Sequence, residues 1–320
     1  MDYTQVVRHK LLNFFQSLAL VSLLAALMSY VAYAIAGEFF AWLAFVMVIV
    51  LFFANPMVAP HFILRMYRAQ PVDRYEAPGL HKLVAVLSRR AKLDNPPRIY
   101  YVPSHVLNAF AIGSTRESAI AVSAGILQRL SFDELAGILA HEITHIKNND
   151  LRVMTFADIA GRMTKTLSLL GQLLVLINLP LILFADVQLN WIPLIILVFA
   201  PLFSDLVQLG LSRIREYDAD LGSAILLGDA RPLASALGKL DHYEHNYLGS
   251  MIIPVPKIPE PSLLRTHPPL AERIRRLLEF HREQDMQPVL TGVDRRESHE
   301  IPVHIISPRA ARRHFTGFWY

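Results

Sequence analysis

The chain has 320 residues, 53% of them hydrophobic, with no cysteine and a formal net charge of +4. A mean hydropathy of +0.34 is too apolar for an ordinary soluble domain, and the missing cysteines exclude disulfides and thiolate metal ligands, leaving His and carboxylate to hold any metal. The basic balance would suit nucleic acid in a soluble protein, but these cations cluster beside apolar runs and in the tail, so contact with anionic lipid is the simpler reading and no nucleic-acid partner is expected.

Residues 11–37 carry no charged side chain, and after Glu38 a second uncharged run covers 39–64. Each exceeds the roughly 20 residues that cross a hydrocarbon core, which predicts a transmembrane hairpin over 1–64. Arg8, His9 and Lys10 precede the first run, but it is far longer than the core of a cleaved signal, so it reads as a retained anchor. Arg8 and Lys10 lie on one side of the hairpin and Arg65 and Arg68 return to that side, while the turn at Gly37-Glu38 has no cation. Positive residues stay inside, so the rest of the chain is expected to face the cytoplasm.

Residues 65–165 have the composition of a soluble domain. An amphipathic helix is expected over 78–92, then the breaker Asn95-Pro96-Pro97, then three short strands over 98–102, 109–112 and 118–122 forming a small antiparallel sheet. The strand at 118–122, with Ile120 and Ala121, is a candidate edge to which an extended peptide could add; a plain core strand is the alternative.

Ser131-Phe132-Asp133-Glu134 is a capping box, and Leu135, Ile138, Leu139, Ile143 and Ile146 recur at helical spacing until Asn148-Asn149-Asp150. That helix carries His141-Glu142-Ile143-Thr144-His145, an HExxH motif. Four residues apart, the two imidazoles share a face and converge on one ion, while Glu142, about 100° away, flanks the metal where it can reach a bound water. A catalytic zinc takes three protein ligands and leaves one position open. The residues alone leave the third ligand undecided among Glu216, Asp218, Asp220, Asp150 and Asp205.

Two more apolar runs, 166–185 and 187–204, are split by Asp186 and interrupted by Pro180, Pro193 and Pro201. A second hydrophobic hairpin over 166–205 is expected, with a buried core hairpin or an interfacial segment as the alternatives. Over 206–280 helical periodicity resumes, and Glu216 and Asp220 share a face, so one could bind metal while the other orients a histidine; residues 281–320 form a tail without a motif. His242 and His245 are spaced three apart, yet no acidic residue separates them in an HExxH pattern, and a solvated or packed pair is favoured.

Asn108-Ala109-Phe110-Ala111, HEITH at 141–145, Ser212-Arg213-Ile214-Arg215-Glu216-Tyr217-Asp218-Ala219-Asp220, and Thr266-His267-Pro268-Pro269 before Arg273-Ile274 occur in an order that resembles the HtpX-like membrane zinc endopeptidases, relatives of the CAAX prenyl proteases. The resemblance covers roughly 1–280. It implies a mainly α membrane protein with an α+β zincin-like catalytic domain, one Zn2+ per chain held by His141, His145 and Glu216, and Glu142 as general base. It further implies that Asp220 orients a ligating histidine, that Asn108 and Ala109 contact substrate beside the edge strand, and that His267 donates to the oxyanion. Misfolded or membrane proteins as substrates and a multi-pass location in a bacterial-type inner membrane also follow from it. Two other functions compete. An inactive membrane adaptor would have no need of Glu142, and a transporter would need charged groups at the midplane of its spans, where this chain has few.

Overall fold

The computed structural model describes residues 11, 15, 18–19, 22–23, 25–34, 37–54, 60–177, 179, 191–248 and 269–283. His267, the tail and the connection expected around Asp186 lie outside the described residues. The chain divides into two compact units, one of Met1–Met57, Arg152–Glu216 and Lys257–Pro268, the other of Val58–Leu151, Tyr217–Pro256 and Pro269–Tyr320.

The first unit is helical. α1 (Ala25–Ala34) and α2 (Glu38–Ala54) are separated by Gly37, whose φ of 85° suits a residue without a Cβ. Small side chains bring helices close here: Ala25, Ala32, Ala44, Ala157 and Ala160 pack with Met28, Val48, Phe156 and Leu211. Facing outward are Phe39, Trp42, Val50, Leu169, Ile177, Ile192, Phe199 and Phe203, all exposed, a surface that water would disfavour and lipid would solvate.

A long helix follows that segment in the chain, Trp191–Leu227, and among the described residues it alone is long and apolar enough to cross a membrane. Its 37 residues span about 55 Å, against about 30 Å of hydrocarbon. Pro193 sits in its first turn, where no intrahelical N–H is lost, but Pro201 lies inside and cannot donate to the carbonyl of Leu197 four residues back. The Ser168 hydroxyl donates to that Leu197 carbonyl, and Gln172 Nε2 donates to Ser168 Oγ at 3.0 Å. A neighbouring helix thus satisfies the group that proline orphans, which is how an apolar helix tolerates it. We expect Ser168→Ala to lower unfolding stability by about 1–3 kcal/mol through that unsatisfied carbonyl. In a Pro201→Ala background, where the helix supplies its own N–H, the same change should cost much less; equal losses in both backgrounds in detergent unfolding experiments would refute the pairing.

The second unit holds the sheet. Its elements are α3 (Pro60–Met66), β1 (Gln70–Pro71), α4 (Pro78–Ala91), β2 (Arg98–Val102), β3 (Ala109–Gly113), β4 (Ser118–Ser123), α5 (Ala124–Arg129) and α6 (Phe132–Lys147). α7 (Asp150–Ile177) begins in it, α8 (Trp191–Leu227) ends in it, and α9 (Arg231–Leu248) and α10 (Leu270–Glu283) complete it. The strand order is β1-β2-β4-β3, and the sheet is mixed: β2 pairs parallel with β4, while β3 pairs antiparallel with it. Two expectations are corrected here. The sheet is not purely antiparallel, because 103–117 carry the chain out to β3 and back before β4 inserts beside β2. The strand with Ile120 and Ala121 is not an edge, since β4 is paired on both sides, with Ile120 and Ala121 fully buried; β3 is the edge.

α6 packs through Leu135, Leu139, Ile143 and Ile146 onto Leu83 and Leu87 of α4, Ile120 of β4, and Leu233 and Leu237 of α9. Gly137 permits the close approach to α9, as a Cβ there would stand 2.7 Å from the Leu233 backbone nitrogen. The expected capping box is present, with Ser131 N donating to Glu134 Oε2 at 2.7 Å and Glu134 N to Ser131 Oγ at 3.3 Å. Burial pushes the Glu134 carboxyl up, but hydrogen bonds from Lys239, the Ser131 N–H and Ser235 outweigh it and hold the group below the usual carboxylate range.

Candidate metal centre

α6 delivers the two histidines because positions 141 and 145 are one turn apart on the face turned away from its apolar stripe. Their ring centroids lie 4.6 Å apart with the planes at 89°, and their Nε2 atoms are 3.1 Å from each other. Each Nδ1 is met by a buried acid. Asp220 Oδ1 is 3.1 Å from His141 Nδ1, and Asp150 Oδ2 is 2.9 Å from His145 Nδ1. With an acid beside each Nδ1, the two Nε2 atoms are left to face the same space.

Two lone pairs at that distance repel unless a cation or proton lies between them. Bonds of 2.0–2.1 Å in a tetrahedral site would set neighbouring ligand atoms about 3.3 Å apart, close to what the imidazoles show. Glu216, 4% exposed, completes the group: one ligand atom from each of His141, His145 and Glu216 lies within 4.8 Å of the others. Glu216 is on α8, which continues unbroken to Asp220. Two imidazoles and one carboxylate are the ligand count of a catalytic zinc, so the donor set fits that ion.

Asp220 is itself clamped. Arg273 of α10 donates Nη2 to Oδ1 at 2.6 Å and Nε to Oδ2 at 2.8 Å, and both side chains are almost fully buried. This two-pronged pair neutralises the buried charge and fixes the carboxylate plane that meets His141. Asp220→Asn should weaken zinc binding about 10–100-fold, since the histidine loses its orienting charge, and should also lower stability by leaving the buried Arg273 charge uncompensated. Competition against a chromophoric chelator measures this directly, and unchanged affinity would remove Asp220 from the site.

Glu142 is half-buried, and its Oε2 accepts from the backbone N–H of Ala111 on the edge strand at 2.9 Å. That N–H therefore points away from β4, so Ala109 and Gly113, two residues to either side, also present backbone groups to the open edge. Asn108 is pinned just before this strand, its N–H donating to Ser123 Oγ at 3.1 Å and its carbonyl accepting from Ser123 N at 2.9 Å.

Of the acids considered as third ligand, Asp205 pairs with Lys165 at 2.6 Å, Asp150 supports His145, Asp220 supports His141, and Asp218 is outside the group. Sequence reasoning missed the roles of Asp150 and Arg273. Asp150 does follow a break at Asn149, whose φ of 57° turns the chain back toward α6, but the direction of that turn is not legible in the residues. Arg273 was visible only as part of the motif after Pro269.

The chain matches the model of peptidase family M48 over residues 75–281. It is 37% identical to the protease HtpX homolog of Persephonella marina over 74% of this chain and 88% of that protein. To the homolog of Sulfurihydrogenibium it is 33% identical over 86% of this chain and 98% of that protein. The crystal structure of S. mikatae Ste24p is 21% identical, with a TM-score of 0.45 over 85% of this chain and 66% of that one. With the HExxH pair, the distant glutamate and the two supporting aspartates in one place, the chain belongs to peptidase family M48 and is a metalloprotease of the HtpX type.

Proposed function

We propose that the protein is a membrane-embedded zinc endopeptidase that cuts misfolded or membrane proteins, with its catalytic part on the cytoplasmic side of a bacterial-type inner membrane. The observation carrying this reading is Glu142 placed between the His141–His145–Glu216 group and the open edge of β3. When bound, zinc would supply a Lewis acid that polarises a carbonyl and lowers the pKa of a ligated water to about 7. Glu142 takes the proton of the attacking water and passes it to the departing amine. The β3 edge binds the peptide main chain through Ala109 and its neighbours, which accepts many sequences and suits unfolded substrates. Asn108 contacts that main chain, and His267 stabilises the oxyanion.

Charge placement supports the orientation, with Arg65 and Arg68 after the first pair of spans and Arg213 and Arg215 after the second. The multi-pass arrangement rests on α1, α2, α7 and α8 and their exposed apolar faces. The test is proteolysis of an unfolded protein by the full chain in detergent. A chelator should abolish cleavage and added zinc should restore it; cleavage indifferent to the chelator would rule the reading out.

A further inference from the structure

We infer that a hollow lined by Leu107, Arg129, Gly238, Lys239, His242 and Tyr243 receives an acidic side chain of the substrate, three or four residues from the bond that is cut. The inference rests on the peptidase reading above and names a specificity site within it.

The hollow measures about 430 Å3 and lies outside the metal centre. Its wall is apolar: Leu107 is buried at 8% exposure, Gly238 adds no side chain, and Tyr243 presents its ring. Three basic side chains stand around it. Lys239 is already committed, its Nζ donating to Glu134 Oε2 at 2.7 Å. Arg129 is exposed, has no ion pair among the described residues, and rests 4.4 Å over the Tyr243 ring, which orders the guanidinium without neutralising it. The Tyr243 hydroxyl donates to the His105 carbonyl at 3.2 Å and ties that ring to the loop leading into the edge strand.

Position selects the ligand. Leu107 lies two residues before β3 and four before Ala111, whose N–H holds Glu142; four residues of extended chain cover about 13 Å, the separation at which a peptide laid along β3 would reach the hollow. At that separation a side chain of the same peptide, three or four residues from the cut, meets an apolar wall and a cation that has no ion pair among the described residues. A Glu or Asp side chain suits it, with its methylene on Leu107 and its carboxylate on Arg129.

The experiment uses the zinc-loaded full chain and terminally blocked peptides that differ only by Glu, Gln or Lys at each position around one cleavable bond, with products located by mass spectrometry. Blocking the ends excludes a C-terminal carboxylate as the group recognised. Glu should be preferred over Gln about threefold to fivefold at one position three or four residues from the cut, the upper range of an exposed ion pair. Arg129→Lys should keep that preference and Arg129→Glu should turn it toward Lys, a reversal that mere loss of structure would not produce. Cleavage with no charge preference at that distance, or a preference that survives Arg129→Glu, overturns the inference and leaves the peptidase reading standing. Should no peptide be cut, binding of the labelled Glu and Lys peptides to Glu142→Gln protein decides: equal affinities overturn the hollow's role, whereas a Glu preference lost in the Arg129→Glu double variant supports it.

Discussion

Glu142→Gln is expected to lower the rate of peptide cleavage by about 100-fold to 10,000-fold while zinc content stays at one per chain. The amide is nearly the shape of the carboxylate, so the helix and both histidines keep their places, but it has no charge with which to accept a proton. Its oxygen can still accept from Ala111 N–H, as Glu142 Oε2 does at 2.9 Å, so the edge strand stays ordered. The substitution therefore separates catalysis from folding and from metal binding. Retained cleavage in a purified, zinc-replete sample would end the general-base assignment.

Removing Glu216 should act on the metal instead. With Glu216→Ala, His141 and His145 remain, but the proposed ligand set falls from three to two and loses its carboxylate. Loss of a supporting residue costs 10–100-fold in affinity, so loss of a ligand should cost more than about 100-fold. Elemental analysis after gel filtration should find the protein empty, and activity should be absent unless zinc is supplied in large excess. The folded state should suffer less than the metal site, because α8 is held through Ala219, Ala224, Leu226 and Leu227, which follow Glu216 along the helix and are buried. A variant that keeps stoichiometric zinc would show that another acid closes the site.

These two residues differ in how openly the sequence displayed them. Glu142 and its flanking histidines are neighbours on one helix, so helical geometry alone predicts that the imidazoles converge, and Ser131 and Glu134 announce where that helix starts. Glu216 lies 71 positions beyond His145, and spacing alone could not choose it over Asp218 or Asp220; the family resemblance did so, and the structure brings Glu216 into the group while assigning Asp220 to His141 and Asp150 to His145. The sheet shows the same limit. Each of its three longer strands was readable from its β-branched and aromatic residues, yet their order was not, because 118–123 returns to pair beside 98–102 after a detour through 109–113.

What the residues determined unaided is whatever depends on periods of a few positions: the long apolar runs, the capped HExxH helix, the cations beside those runs, and the exclusion of sulfur ligands. Tertiary structure alone decided which strand is left with an open edge, which acids stand behind the two imidazoles, and how Arg273 fixes one of them. It also decided how the chain accommodates Pro201, through a hydroxyl from another helix. The physical reason is range: a helix or strand satisfies its periodic pattern through bonds between near neighbours, whereas strand order and buried charge pairs join groups far apart in the chain, 53 positions for Asp220 and Arg273, and only the packed fold brings those together.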